Sequence, residues 1–252
     1  SWKGSYHLDG EYIEAENINY IHIADALIQP EKGKITINRR ARIKQLENAI
    51  VAVNNRHLLR SAKIDIESTK RYTGSAVYDY VGDNIDIQQI SFPELTVDTL
   101  VTSARGFIPV SQKFRLNQAF TFSGDVSLYA KKDNLSFTGS AGIVHNCSNL
   151  KSYSLKFSSF IDPKNVMIPV GEKPRDINDN MVFSGSFINV DSVHIYPAFL
   201  SAQKSWTDVG IVQSSGYLYY DRGKSRYLIA SLEKIADPTT NGNMIALDKD
   251  YC

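Results

Sequence analysis

A short phrase recurs four times in this sequence: an aromatic residue, then Ser or Thr, then Gly, and then a short residue. Its copies begin Tyr72-Thr73-Gly74, Phe122-Ser123-Gly124, Phe137-Thr138-Gly139 and Phe183-Ser184-Gly185. Strand-forming residues follow, as in Val77-Tyr78-Asp79-Tyr80 and Val126-Ser127-Leu128-Tyr129. Because glycine inside a strand indicates a bulge, a bend or the close approach of another backbone, the phrase predicts one recurrent type of strand, kinked at its glycine.

Short strand-forming segments begin at 47, 60 and 74, about 13 residues apart. This spacing suits hairpins, sandwich strands or the rungs of a solenoid. Residues 40–60 leave a helix open as an alternative, because 41–49 is rich in helix formers. The β-branched run 50–53 and the Asn54-Asn55 turn signal favour strands instead. We therefore predict an all-β fold: a β-solenoid or jelly-roll-like stack of short antiparallel strands, or two β-sandwich halves.

Proline residues interrupt this pattern. Pro93 and Pro109 predict a seam, with an N-terminal β-repeat half at 1–110 and a C-terminal β-repeat half at 111–252. The second half carries a Pro-rich insertion at 157–180. Two hairpins are expected within it. The two strands of the first hairpin are joined by the turn at 131–134. The second hairpin pairs 216–220 with 226–230.

Composition narrows the function classes. The chain is 42% hydrophobic and 22% charged, which is typical of a globular domain and not of a disordered one. A formal net charge of +1 gives no field that would attract nucleic acid. No run approaches the ~18 apolar residues of a membrane-spanning helix. Cys147 and Cys252 permit one disulfide, and the sequence leaves their pairing open.

Motifs for catalysis and metal binding are weak. The five His residues show no zinc-ligand spacing, and no phosphate-binding, dinucleotide or nucleophile-elbow motif occurs. The segment 176–180 has calcium-like oxygen spacing but lacks the Gly and Glu of a calcium loop, so we expect a solvated loop. Asp79, Asp83 and Asp86 could supply paired carboxylates, but their turn context already explains them. We predict no metal, no cofactor and no enzymatic activity.

Tyrosine is the one residue type with a binding character, at 14 residues. A Tyr ring is apolar and its hydroxyl polar, so exposed Tyr residues can stack on sugar rings. Tyr is also a preferred strand residue, which is the alternative explanation of its frequency. The candidate ligand-binding residues are Tyr78, Tyr80, Tyr217 and Tyr219, each pair spaced to share one face of a strand.

The amino-acid sequence from Phe122 to His145 resembles repeats of the lipopolysaccharide-transport family of β-jelly-roll proteins. The resemblance rests on Phe-Ser-Gly-Asp-Val, Leu-Tyr-Ala and Leu-Ser-Phe-Thr-Gly-Ser-Ala-Gly-Ile-Val, and large Gram-negative envelope proteins contain similar segments. It implies a stack of antiparallel strands in the cell envelope, periplasmic or at the cell surface, without enzymatic activity. The Pro-rich stretch from Phe157 to Pro174 departs from that pattern.

The function expected from these observations is that of a non-enzymatic envelope or cell-surface β-domain of a larger exported protein. It would act as a structural, assembly or lipid/glycan-handling module, with an envelope protein partner or a lipid or glycan ligand. The mechanism would be passive, since an inner face or open edge of a sheet accepts a ligand or a partner strand. The alternative is a carbohydrate-binding module or a glycan-active enzyme.

Overall fold

The structure is a computed structural model that describes residues 3–145, 154–191 and 194–248. Within these ranges it has 22 strands, one short α-helix and three 3-10 turns, the latter at Glu31–Gly33, Arg39–Ala41 and Val110–Gln112. The strands are β1 (Lys3–His7), β2 (Tyr12–Glu16), β3 (Ile21–Ile23), β4 (Ala26–Gln29), β5 (Ile35–Asn38), β6 (Arg42–Ile43), β7 (Leu46–Val53), β8 (His57–Ser68), β9 (Arg71–Tyr80), β10 (Gln88–Asp98), β11 (Val101–Ile108), β12 (Arg115–Asn117), β13 (Phe120–Tyr129), β14 (Leu135–Ile143), β15 (Leu155–Ile161), β16 (Met167–Val170), β17 (Phe183–Asn189), β18 (His194–Ser201), β19 (Val209–Gln213), β20 (Gly216–Asp221), β21 (Arg226–Ala230) and β22 (Ile245–Asp248), and the helix is α1 (Leu232–Ala236). The predicted all-β fold class is confirmed. None of the helices in the described ranges is long and apolar enough to cross a membrane.

The strands form four sheets. The largest has eleven strands in the order β15-β14-β13-β11-β10-β9-β8-β7-β4-β3, with β12 paired to β13. Two four-stranded sheets have the orders β1-β2-β5-β6 and β16-β20-β21-β22, and a three-stranded sheet has the order β18-β17-β19. Long runs of sequence neighbours lie side by side as antiparallel pairs, for example β7 with β8, β8 with β9 and β9 with β10.

By internal contacts the chain divides into two compact units. The first falls within Ser1–Val81, Asp86–Phe107 and Asp125–Leu135, and the second within Gly82–Ile85, Ile108–Gly124 and Ser136–Cys252. The units interleave along the sequence, and the predicted halves 1–110 and 111–252 stay a prediction. The stretch predicted as a Pro-rich insertion contains most of β15 and all of β16. Cys147 and Cys252, whose pairing the sequence leaves open, both lie outside the described residues.

Residues 40–60 form strands, as the β-branched run indicates. β7 and β8 pair antiparallel, with Val53 opposite His57, across a tight turn at Asn54 and Asn55. Both Asn residues have positive φ, 48° and 54°, as the two central residues of a type I′ turn do, and the backbone N–H of Arg56 closes this turn by donating to the carbonyl of Val53 at 3.0 Å. The two hairpins expected in the second half also form, β13 beside β14 and β20 paired with β21.

In β9, the glycine phrase lies in a strand whose two neighbours both carry an extra residue. On one side of β9, Arg60 and Lys63 of β8 face Val77 and Ser75, so three residue steps in β8 lie opposite two in β9. On its other side, Phe92 and Leu95 of β10 face Ala76 and Gly74, again three against two. A Cβ on Gly74 would lie 1.9 Å from the carbonyl oxygen of Lys63, so only glycine allows the bulged neighbour to come this close.

The phrase at Gly185 repeats this arrangement in the three-stranded sheet. The registers of β17 with β18 and with β19 both shift beside Gly185. A Cβ on Gly185 would lie 1.9 Å from the carbonyl oxygen of Val212. The two remaining copies face each other in the β13–β14 hairpin, where a Cβ on Gly124 would lie 2.6 Å from the Cα of Gly139. The predicted close backbone approach is therefore present in all four copies.

Each unit has a core of fully buried apolar side chains. In the first unit these alternate along β4 and the meander of β7 to β10, as a sheet face packed against other residues requires, and they include Ile28, Val51, Leu59, Ile64, Tyr72, Phe92 and Leu95. In the second unit they include Phe114, Leu116, Phe120, Phe137, Ile168, Phe187 and Ile229.

Candidate functional site

The second unit contains a cavity of about 500 Å³. Its volume lies within the range of about 300–1,000 Å³ common for small-molecule sites. The described residues that form its wall are Val110, Lys113, Phe114, Arg115, Thr121, Phe122, Ser123, Ser140, Gly142, Ser154 and Ile177. Apolar rings, hydroxyls and two cations therefore surround one space.

The cavity lies where the chain turns into β12. After the 3-10 turn Val110–Gln112, Lys113 adopts a left-handed conformation (φ 51°, ψ 36°) and its backbone N–H donates to the carbonyl of Val110. This turn directs Phe114 into the core, where it is fully buried. The backbone N–H of Phe122 donates to the carbonyl of Phe114 at 2.9 Å, and Arg115 pairs with Thr121. The wall is thus fixed by backbone hydrogen bonds.

Strand β14 supplies a polar part of the wall. Ser140 is buried at 5% exposure, and within the described part of the chain its hydroxyl has no hydrogen-bond partner. Nearby, the Thr121 hydroxyl donates to the carbonyl of Gly142 at 3.3 Å. A Cβ on Gly142 would meet one atom within 4 Å, the Thr121 hydroxyl oxygen at 2.8 Å. Gly142 therefore leaves space at the cavity that a larger side chain would occupy.

A closed loop brings Ile177 to the cavity. Arg175 and Met181 form an isolated antiparallel bridge at its base. Inside the loop the buried carboxylate of Asp176 accepts hydrogen bonds from the backbone N–H groups of Asn178 and Asn180, at 2.8 and 2.9 Å, and from the Asn180 side chain. The predicted solvated loop is therefore organised around a carboxylate that is buried and already occupied by N–H donors, so it does not present its oxygens to a metal.

The loop should make stability depend on acid pH. Burial raises the pKa of Asp176, but the hydrogen bonds from Asn180 and Asn178 outweigh burial and hold this pKa below its ordinary value of 3.8. The Lys156 ammonium, 2.8 Å from the Asp179 carboxylate, likewise lowers the pKa of Asp179. A lowered folded-state pKa stabilises the fold above the unfolded value, and that stability is lost as pH falls through the folded value.

We therefore expect Asp176→Asn to flatten the acid side of the stability profile. Urea unfolding of the wild type and the variant at a series of pH values below 5 measures this effect. Between the folded and unfolded pKa values the wild-type slope should exceed the variant slope by up to one proton. Asp86→Asn, which neutralises an exposed carboxylate outside this loop, is the control. Parallel profiles for wild type and Asp176→Asn would contradict the role given to this carboxylate.

The candidate residues Tyr78 and Tyr80 lie on one face of β9 in the first unit. Tyr80 is buried at 2% exposure. Tyr78 is half-buried, with its ring centroid 6.0 Å from that of His57 and 6.5 Å from that of Phe92, and burial raises its pKa. Both rings belong mainly to the packing of the first unit.

Tyr217 and Tyr219 lie on one face of β20 in the second unit. Both are half-buried, and Leu218 between them is buried on the opposite face. In the neighbouring strands Tyr217 faces Pro169 and Ala230, and Tyr219 faces Met167 and Leu228. None of the four predicted Tyr residues is in the wall of the cavity described above.

Two of the three carboxylates that the sequence assigned to turns are engaged in ion pairs, and Asp79 lies in strand β9 and not in a turn. Asp79 lies 3.2 Å from Arg60, and Asp83 pairs with Arg222. Among the described residues, no group of three or more His, Cys, Asp or Glu side chains is arranged to hold a metal ion.

Sequence reasoning missed every residue of the cavity wall as a site residue. One signal was present: Lys113-Phe114-Arg115 places an aromatic residue between two cations, directly after the Pro109 turn. Ser140 and Ile177 carry no such signal, because strand pairing and loop closure bring them to the wall from distant positions in the sequence. In comparisons with known proteins, the chain matches no family model, no curated protein and no solved structure.

Proposed function

We propose that this chain is a non-enzymatic β-domain of a larger exported bacterial envelope protein, and that it holds a lipid or glycan ligand in the cavity of its second unit. The observation that carries the proposal is the composition of the cavity wall. Phe114 and Phe122 are buried apolar rings, while Thr121, Ser123 and Ser154 add hydroxyls. Ligand sites are mainly apolar with a few convergent polar groups. The mechanism is passive: the sheet positions the wall and the ligand occupies the space.

The envelope location is the part of the proposal that depends on the resemblance of residues 122–145 to lipopolysaccharide-transport repeats. The β13–β14 hairpin, which contains most of this segment, also supplies Phe122 and Ser140 to the cavity wall. The resemblance of this hairpin to lipopolysaccharide-transport repeats, together with its contribution to the cavity wall, supports a lipid-handling module over a purely structural one.

A carbohydrate-binding module is the second candidate. Tyr217 and Tyr219 are half-buried on one face of β20, so parts of two neighbouring rings reach the surface, and aromatic rings of this kind can stack on sugars. If this candidate is correct, Tyr217→Ala should remove glycan binding and leave the cavity ligand in place.

A cavity-filling substitution tests the leading proposal. Gly142→Leu places a side chain into the space beside Thr121, and it should abolish ligand binding at a small cost in stability, because the nearest obstacle is a side-chain hydroxyl. Native mass spectrometry of protein purified from an envelope extract measures the bound ligand. We expect a bound lipid or glycan on the wild type and none on Gly142→Leu.

The matched control is Gly171→Leu. An added Cβ at Gly171 meets nothing within 4 Å, and Gly171 is not in the wall of this cavity. This variant should retain the ligand. A wild-type protein without any bound species, or equal occupancy of the wild type and Gly142→Leu, would overturn the assignment and leave a structural or assembly role.

A further inference from the structure

The charged side chains in the described wall of the cavity are all positive. Among its described wall residues, Lys113 and Arg115 are cationic and none is acidic. The nearest carboxylate in sequence to Ile177 is that of Asp176, and it is buried and bonded to the N–H groups of its own loop. The described wall residues therefore include two cations and no anion, although the chain as a whole has a net charge of only +1. Such a concentration of one charge sign attracts ligands of the opposite sign.

An apolar surface lies directly beside these cations. Phe114 stands between Lys113 and Arg115 in the sequence and is fully buried, and Phe122 is exposed by only 3%. Val110 and Ile177 are exposed by 70% and 50%, so they extend the apolar wall to the surface. A ligand that satisfies the whole wall needs an apolar chain as well as a charge.

The hydroxyl of Ser140 supplies an independent observation. A buried hydroxyl without a hydrogen bond costs free energy, and this hydroxyl has no partner among the described residues. A hydroxyl can donate one hydrogen bond and accept others. An oxygen-bearing anion in the cavity would provide the acceptor that the described residues do not.

We propose that the cavity recognises an anionic group on an apolar chain, either a phosphate monoester or a carboxylate. Lys113 and Arg115 attract the anion, the Ser140 hydroxyl donates to an oxygen of the ligand, and the exposed side chains of Val110 and Ile177 pack against its apolar chain, with the buried rings of Phe114 and Phe122 behind them. This inference rests on the proposed function and deepens it, because it selects acidic amphiphiles from lipids and glycans in general.

Isothermal titration calorimetry with four ligands that share one octyl chain tests the head group. These are octyl phosphate, octanoate, octyl glucoside and octyltrimethylammonium, each used below its micelle concentration, with inorganic phosphate as a fifth ligand. We expect the two anions to bind at least about tenfold more tightly than the glucoside, as a hydrogen bond to a charged group implies. Added salt should weaken anion binding selectively. The stronger of the two anions identifies the source of the charge.

Substitutions at Lys113 assign the effect to this site. Lys113→Gln should weaken octyl phosphate about tenfold and leave octyl glucoside unchanged, while Lys113→Arg retains binding. Lys164→Gln removes the same charge from the exposed turn between β15 and β16, outside the cavity wall, and should have no effect.

Ser140→Ala separates a ligand-binding hydroxyl from a merely structural one. Because the substitution removes a buried hydroxyl without a partner, the ligand-free variant should melt up to about 2–4 °C higher than the wild type, while its affinity for octyl phosphate falls. A lower melting temperature with unchanged affinity would overturn the role of Ser140. Equal binding of octyl phosphate and octyl glucoside, unaffected by Lys113→Gln, would overturn the anion preference and leave the proposed function standing. Failure of all octyl ligands to bind would overturn both.

Discussion

Alanine at Gly74 or Gly185 is expected to destabilise the chain by about 3 kcal/mol or more, because each added Cβ collides with backbone and not with a movable side chain. The carbonyl oxygens of Lys63 and Val212 would both lie 1.9 Å from the new Cβ atoms, far inside van der Waals contact. Relief requires the bulged neighbouring strand to move away, which breaks its hydrogen bonds to the substituted strand. Chemical denaturation monitored by circular dichroism measures the loss.

Gly171→Ala is the matched control for both variants. A Cβ at Gly171 would meet nothing within 4 Å, so its stability should change by no more than about 0.5 kcal/mol. The comparison isolates the collision from the general effect of replacing glycine on the unfolded chain. If Gly74→Ala and Gly171→Ala unfold at the same denaturant concentration, the close backbone approach at Gly74 is wrong.

The glycine phrase shows how much of the fold the sequence could predict. It correctly indicated strands with a close backbone approach. The signal is local, because the close approach requires a glycine within a strand-forming segment. The sequence also placed an interruption at Pro93, whereas β10 continues through it from Gln88 to Asp98. Pro93 lies within the bulge between Phe92 and Leu95, and a bulge is where a strand tolerates the missing N–H of proline. Recognising this needed the pairing register, which is a non-local property.

The cavity lay beyond sequence reasoning for the same physical reason. Lys113, Ser140 and Ile177 come from a turn, a strand and a closed loop, and no short-range period connects them. The burial of the Ser140 hydroxyl depends on its neighbours in space. Tyrosine frequency, by contrast, was visible in the sequence, but frequency alone does not separate a ring that binds a ligand from one that joins two sheets.

Tyr227 is an aromatic residue that joins two sheets. It lies in β21 and is exposed by only 5%, and its hydroxyl donates to the carbonyl of Val144 at 2.6 Å and accepts from the Val144 N–H at 3.1 Å. The carbonyl of Ala119 lies 3.0 Å away. Because Val144 follows β14 and Ala119 precedes β13, one phenol links the sheet of β21 to two strand ends of the largest sheet, all within the second unit.

Tyr227→Ala should cost about 3–5 kcal/mol, as expected for deletion of a buried aromatic ring, whereas Tyr227→Phe should cost only about 1–2 kcal/mol for the lost hydrogen bonds. Only Tyr227→Phe keeps a ring packed against Phe120, whose centroid lies 5.7 Å from that of Tyr227. Tyr20→Ala is the control, since Tyr20 is 61% exposed and should change stability by no more than about 0.5 kcal/mol.

Alkaline pH gives an independent measure of the same hydroxyl. Burial raises the pKa of Tyr227 above its ordinary value of 10.0, so the folded chain keeps a proton that the unfolded chain releases. Its contribution to stability is complete below pH 10 and is lost as pH rises from there toward the folded-state pKa. Tyr227→Phe should therefore lose less stability than the wild type between pH 9 and 11. If both profiles decline equally, the Tyr227 hydroxyl is not held in its protonated form by the fold, and the link between the two sheets rests on ring packing alone.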